Sequence, residues 1–182
     1  MPPSATTADI CLHCGVCCTG AMFDRVPLET PEDREALRRH GQKVDDDARS
    51  FSLPCRFQEG TRCSIHHDRP RVCGAYRCLV LERAQRGQTP VVQAVAKARE
   101  LRRLYERLRA AMPDGEKISE THERLAALKK AGSPPGREDA SLMLAYYLFT
   151  AFLDAHFHRP SEKRMRYLDR ATPVGAEDAD RG

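Results

Sequence analysis

Cys11-Leu12-His13-Cys14-Gly15-Val16-Cys17-Cys18 packs four thiols into eight residues. The other four cysteines are Cys55, Cys63, Cys73 and Cys78, and none follows Cys78. Thiols this dense are either disulfide staples or metal ligands, and the redox compartment decides between them. The start of the chain, Met1-Pro2-Pro3-Ser4-Ala5-Thr6, has neither the basic segment nor the apolar run of a secretory signal. The longest apolar run, 142–153, falls short of the roughly 20 helical residues that cross a bilayer. A cytoplasmic address with reduced thiols is therefore expected, with no membrane insertion. In that setting clustered cysteines bind metal more often than they pair with one another.

Working outward, Thr30-Pro31-Glu32-Asp33 reads as a helix start. Thr30 is placed to cap, Pro31 suits the first helical position, Asp33 closes a capping box, and Gly41 ends the helix. Residues 44–52 form a polar loop with three consecutive aspartates. Pro54, Gly60, Pro70 and Gly74 break 55–78 into turns or one small hairpin. Residues 75–86 read as a helix carrying Cys78 in its first turns. Thr89-Pro90 opens a clearer one, because Val91, Val95, Ala98, Leu101, Leu104, Tyr105, Leu108 and Met112 recur at helical spacing. A shorter helix covers 119–130 and stops at Gly132, and Ser133-Pro134-Pro135-Gly136 is a linker or tight turn. The most apolar helix, 137–158, carries Leu142, Met143, Tyr146, Phe149, Leu153 and Phe157 on one side and Leu144, Tyr147, Leu148 and Phe152 on the other. Such a helix sits centrally or meets a partner. A last short helix is expected at 161–169.

The expected fold class is mainly α, with a small irregular cysteine-rich metal-binding domain (9–87), a helical region (88–170) and a disordered tail (171–182). The 41% hydrophobic and 31% charged content describes a folded, rather polar protein, and the absence of tryptophan argues against a large β-sandwich core. A formal charge of +4 permits an acidic partner without pointing to one. The helix from residue 90 carries Lys97, Arg99, Arg102, Arg103, Arg107 and Arg109, but Glu100 and Glu106 stand at pairing distance along it. A solvated face is the preferred reading, and nucleic acid is not an expected partner. A protein partner or a homodimer through the helical half is.

Thiolate-rich sites select zinc, copper(I) or iron–sulfur clusters. Cys11, Cys14 and Cys17 match the first three positions of the bacterial ferredoxin run, whereas Cys18 follows one residue later instead of three residues on. A four-iron cluster would take its fourth ligand from the 55–78 segment. Eight thiols also suffice for two tetrahedral zinc sites, although the later spacings match neither a zinc ribbon nor a two-histidine finger. Adjacent Cys17 and Cys18 suit a polynuclear site, or leave one thiolate outside the metal's first shell. All eight, Cys11, Cys14, Cys17, Cys18, Cys55, Cys63, Cys73 and Cys78, are the expected metal ligands. His13 and His66 lie among them, with a surface or outer position preferred for both. His67 is read as solvent-facing or bonded to Asp68, and Arg69 and Arg71 as holding loops or offsetting thiolate charge.

Cys11-x2-Cys14-Gly-x-Cys17-Cys18-x-Gly20, Pro54-Cys55-x-Phe57, Cys63-x-Ile65 and Arg69-Pro70-x2-Cys73-x2-Tyr76-x-Cys78 together resemble the YkgJ-type cysteine-cluster proteins. That family is known as zinc- or iron-chelating domains and includes the flagellin lysine N-methylases. The resemblance covers 10–81 and all eight cysteines. It implies that the eight hold the metal centre, and the methylase branch implies an iron–sulfur cluster. This chain has Gly74 where members usually carry an arginine, with Arg77 as a substitute. The resemblance makes protein methylation conceivable, yet no glycine-rich strand-to-helix loop for S-adenosylmethionine is found. Two functions follow: a metal protein whose iron–sulfur or zinc centre does redox or protein-modifying work, or a zinc-stapled interaction module without catalytic activity.

Overall fold

A computed structural model of the chain describes residues 5–132 and 134–159. Seven α-helices and four very short strands make up those residues: α1 (Thr7–Leu12), β1 (Arg25–Pro27), α2 (Pro31–Arg39), β2 (Ser50–Ser52), β3 (Gln58–Glu59), β4 (Arg62–Cys63), α3 (Arg71–Ala75), α4 (Leu79–Gln85), α5 (Val91–Ala111), α6 (Ile118–Ala131) and α7 (Arg137–His156). Two tight 3-10 turns, Val16–Cys18 and His66–Asp68, complete them. The mainly helical class is as expected. The expected helix at 161–169 and the tail from 171 lie outside the described residues.

Two apolar cores organise the molecule. In the larger, the apolar stripe of α5 meets α7, burying Ala94, Ala98, Leu101 and Leu108 against Leu142, Phe149 and Leu153. Helices α1 and α4 close its near end with Ile10, Val80 and Leu81, and Val16 of the cysteine knot is wholly buried there. In the smaller core Leu28, Leu37, Phe51, Leu53, Phe57 and Ile65 pack between α2 and the strand pairs. Completely burying a leucine or phenylalanine removes enough apolar surface to contribute about 1.5–3 kcal/mol. Both cores are therefore substantial, and the cysteines lie along the border between them.

The caps follow the sequence. Thr30 Oγ1 accepts the Asp33 N–H while Asp33 Oδ2 accepts the Thr30 N–H, both at 3.3 Å, and Gly41 turns left-handed at φ +74° where α2 ends. Gly132 does the same after α6. Helix α1 was not anticipated: it is six residues long and starts at a Thr6–Asp9 capping box.

Three local expectations need correction. Residues 44–52 are not all loop, because Ser50–Ser52 pairs antiparallel with Arg25–Pro27, Val26 opposite Phe51. Residues 75–86 are not one helix. Helix α3 stops at Ala75, the chain runs extended through Tyr76 and Cys78, and α4 begins at Leu79, so Cys78 stands at the helix start and not inside it. The break is held by Arg77, whose Nη1 donates to the carbonyls of Gly74 (2.6 Å) and Tyr76 (2.8 Å). The apolar helix ends at His156, two residues early. Its Phe157 carbonyl accepts the Leu79 N–H at 3.0 Å, and Arg159 donates to the Arg77 carbonyl and to Glu82, so the end of α7 is sewn to the residues flanking Cys78.

Candidate metal centre

All eight cysteines are free thiols, so the disulfide reading has no pair to rest on. They reach the border between the cores from several elements. Cys11 lies in the last turn of α1, Cys14 comes two residues after its end, and Cys17 and Cys18 lie in the 3-10 turn. Cys55 precedes the β3–β4 hairpin, Cys63 ends β4, Cys73 lies in α3, and Cys78 precedes α4. Cys14 is buried, Cys11 is the most open, and the others are half-buried.

The knot 11–18 is locked to the hairpin by backbone contacts. Gly15 turns at φ +64°, a conformation that glycine adopts without steric cost. A methyl group there would stand 2.9 Å from the Thr61 Cα and carbonyl oxygen. Gln58 Nε2 donates to the Gly15 carbonyl at 2.8 Å, and Thr61 Oγ1 donates to the Leu12 carbonyl at 2.6 Å. Further along, the Cys55 N–H donates to the Cys18 carbonyl at 2.8 Å. The first and second cysteine groups are thus tied by main chain.

The surroundings suit thiolates. A backbone N–H two residues ahead reaches the sulfur of Cys14 (from Val16), Cys55 (from Phe57) and Cys63 (from Ile65), and in each case favours the anion. Val80 and Leu81 do so for Cys78. Arg69 acts on Cys11, Cys18, Cys63 and Cys73, Arg77 on Cys11, and Arg102 of α5 on Cys14. Without a metal these aids are outweighed. Desolvation pushes Cys14 and Cys73 up to about 12 and Cys78 to about 11, and it raises Cys11, Cys55 and Cys63. Cys17 and Cys18 touch, Sγ to Sγ 3.9 Å. That contact, with burial, raises Cys17, and the same contact lowers Cys18 to about 7. This is a set of soft donors with hydrogen bonds and cations aimed at their charge, and it fits zinc or iron. Among the described residues no three His, Cys, Asp or Glu side chains converge closely enough in this arrangement to hold a single ion.

The histidines fall outside the thiol set. His13 Nδ1 donates to the Asp9 carbonyl at 2.7 Å and its Nε2 faces Arg99 at 3.0 Å, so both ring nitrogens are engaged. His66 is exposed and stacks edge-on against His67. His40, and not His67, bonds Asp68, at 2.9 Å. Arg39 grips the same carboxylate, and these bonds hold Asp68 down at about 2. The buried Asp33 went unnoticed as a second anchor: besides capping α2, its Oδ1 accepts the Arg71 N–H at 2.6 Å and so sets where α3 begins. Its place beside a Pro-Arg turn 38 residues on left no signal in the sequence.

Fold and site together define a small helical protein with a thiol-rich border between two cores. Residues 10–98 match the CxxCxxCC family model, described as "Putative zinc- or iron-chelating domain". The match takes in all eight cysteines and runs on into the first turns of α5. No curated protein and no solved structure matches the chain.

Proposed function

We propose that this is a metalloprotein whose eight cysteine thiolates hold zinc or iron, with an iron–sulfur centre in redox or protein-modifying work as its active form. The observation that carries the reading is the gathering of eight free thiols at one border, several with N–H groups and arginines directed at their charge. The ferredoxin-like start, Cys11-x2-Cys14-x2-Cys17, favours iron over zinc. A bound cluster would supply an electron store tuned by the hydrogen bonds to its sulfurs. The chain's own part is to present the thiolates, to offset their charge with Arg69, Arg77 and Arg102, and to keep the knot seated through Gln58 and Thr61.

Anaerobic purification followed by a visible spectrum tests the choice of metal. A brown protein with iron and acid-labile sulfide is expected. A colourless protein with stoichiometric zinc would overturn the cluster and leave the thiolate site standing.

One observation favours a second reading, a zinc-stapled module that binds another protein. On the outer side of α7 Leu144, Tyr147 and Leu148 are 54%, 49% and 41% exposed, and Ala151 continues the stripe one turn on. In that reading zinc has no open coordination position, and α7 contacts a second copy of the chain.

A further inference from the structure

We infer that the eight thiols serve two separate metal centres of four ligands each, Cys11, Cys14, Cys17 and Cys78 in one and Cys18, Cys55, Cys63 and Cys73 in the other, with the adjacent pair Cys17–Cys18 parting between them. The inference rests on the metal-binding reading above and goes beyond it by assigning each thiol to a centre.

Packing separates the sets first. Cys14 belongs to the α5–α7 core and Cys78 packs against it. Cys55, Cys63 and Cys73 all pack against the smaller core. No cysteine is shared between the two cores. One main-chain bond places Cys18 beside the second group, its carbonyl accepting the Cys55 N–H at 2.8 Å. Cys17 and Cys18 are neighbours on the 3-10 turn with their sulfurs 3.9 Å apart, so the two centres would adjoin at this pair.

The thiols sense one another along the same line. Cys14 is influenced by Cys78 and Cys11, Cys17 by Cys14 and Cys11, and Cys78 by Cys11. On the other side Cys55 is influenced by Cys18 and Cys63, Cys63 by Cys18, and Cys73 by Cys18, Cys55 and Cys63. Across the border Cys18 is felt by Cys17 and Cys11, and Cys17 is felt by Cys18 through their hydrogen bond. The cations divide in part too: Arg77 acts on Cys11 and Arg102 on Cys14, and Arg69 acts on Cys18, Cys63 and Cys73 as well as on Cys11. A doubled cysteine that looks one residue out of place for a single site is in place for two.

The test is stepwise metal removal from the full-length, anaerobically prepared protein. A chelator is added in increments, exposed thiols are alkylated, and each labelled cysteine is located by fragmentation mass spectrometry. Labelling in two blocks is expected, Cys11, Cys14, Cys17 and Cys78 together and Cys18, Cys55, Cys63 and Cys73 together. In parallel Cys14→Ser and Cys73→Ser are each expected to lose about half of the bound metal, with different spectra for the halves retained. Alkylation of all eight in one step, or a block that mixes the sets, would overturn the division while leaving metal binding intact. Wild-type protein without bound metal, all eight thiols alkylated before any chelator, would overturn the metal-binding reading itself. The wild-type labelling decides the matter even if a serine variant fails to fold.

Discussion

Two single residues hold the site in shape, and neither is a cysteine. Asp33 is 2% exposed and spends one oxygen on the cap of α2 and the other on the Arg71 N–H that starts α3. Asp33→Ala would strip both, leaving a buried amide unpaired, and is expected to cost about 2–4 kcal/mol in chemical denaturation. Asp33→Asn should recover part of that loss, since it keeps an acceptor. Gly15 has no room for a side chain and a left-handed backbone. Gly15→Ala should destabilise by roughly 1–3 kcal/mol and lower the metal content with it, whereas alanine at Gly41, left-handed but facing open space, should leave metal content unchanged. Equal metal content in the Gly15 variant would show that the clamp against Thr61 is unnecessary.

The thiols make a pH prediction of their own. Metal can replace only protons that leave, and Cys14, Cys17, Cys73 and Cys78 hold theirs well above the ordinary value of 9. Loading should therefore release protons, measurable with a weakly buffered indicator, and apparent affinity should rise from pH 6 to pH 8. The metal-free fold has the opposite sign. A thiol raised on folding favours the folded state below its unfolded value, and that contribution is lost as pH rises from about 9 towards about 12. Metal-free protein that is equally stable at pH 8 and pH 11 would contradict the burial assigned to Cys14 and Cys73.

At the scale of elements, α5 and α7 carry the molecule. The charged side of α5 is largely occupied with its own chain: Arg102 pairs with Glu106 at 2.7 Å, Arg103 with Glu100 at 2.7 Å, and Arg109 donates to the Glu116 carbonyl. Arg102 also reaches the hairpin turn at the Gly60 carbonyl and lies over Tyr105, so this helix face helps position the cysteine loops. The outer stripe of α7 has no such occupation among the described residues. If it joins two copies, the double change Leu144→Glu and Leu148→Glu should turn a dimer into a monomer by light scattering without lowering the melting temperature of the monomer. An unchanged mass for the variant would remove the α7 contact.

Long periodic elements were legible in the sequence and short or long-range ones were not. The steps from Val91 to Met112 and the stops at Gly41 and Gly132 announced α2, α5 and α6 because period and caps are local properties. Helix α1 has too few turns to show a period, and β1 and β2 are three residues each with a whole helix between them. Cys78 was placed within a helix, yet the extended backbone at Tyr76 and Cys78 is held from outside by Arg77, Phe157 and Arg159. The cysteines themselves were legible as a set. Which core each faces was not, since that depends on packing across the border.

For the whole molecule, metal and fold are expected to be coupled. Along the thiol-rich border the end of α1 and the knot after it, on the side of the larger core, are bonded to the β3–β4 hairpin through Thr61 and Gln58. Ligands drawn from both sides would join the cores through the 3-10 turn at Val16–Cys18, and whatever binds the folded thiols adds its binding free energy to stability. No helix among the described residues is long and apolar enough to cross a membrane. Counting metal and protected thiols on the untreated wild-type protein, purified without oxygen, tests the central claim most directly. Stoichiometric zinc or iron is predicted, with the cysteines resistant to alkylation under native conditions until a chelator is added. A folded protein without metal, its eight thiols open to the reagent at once, would contradict it.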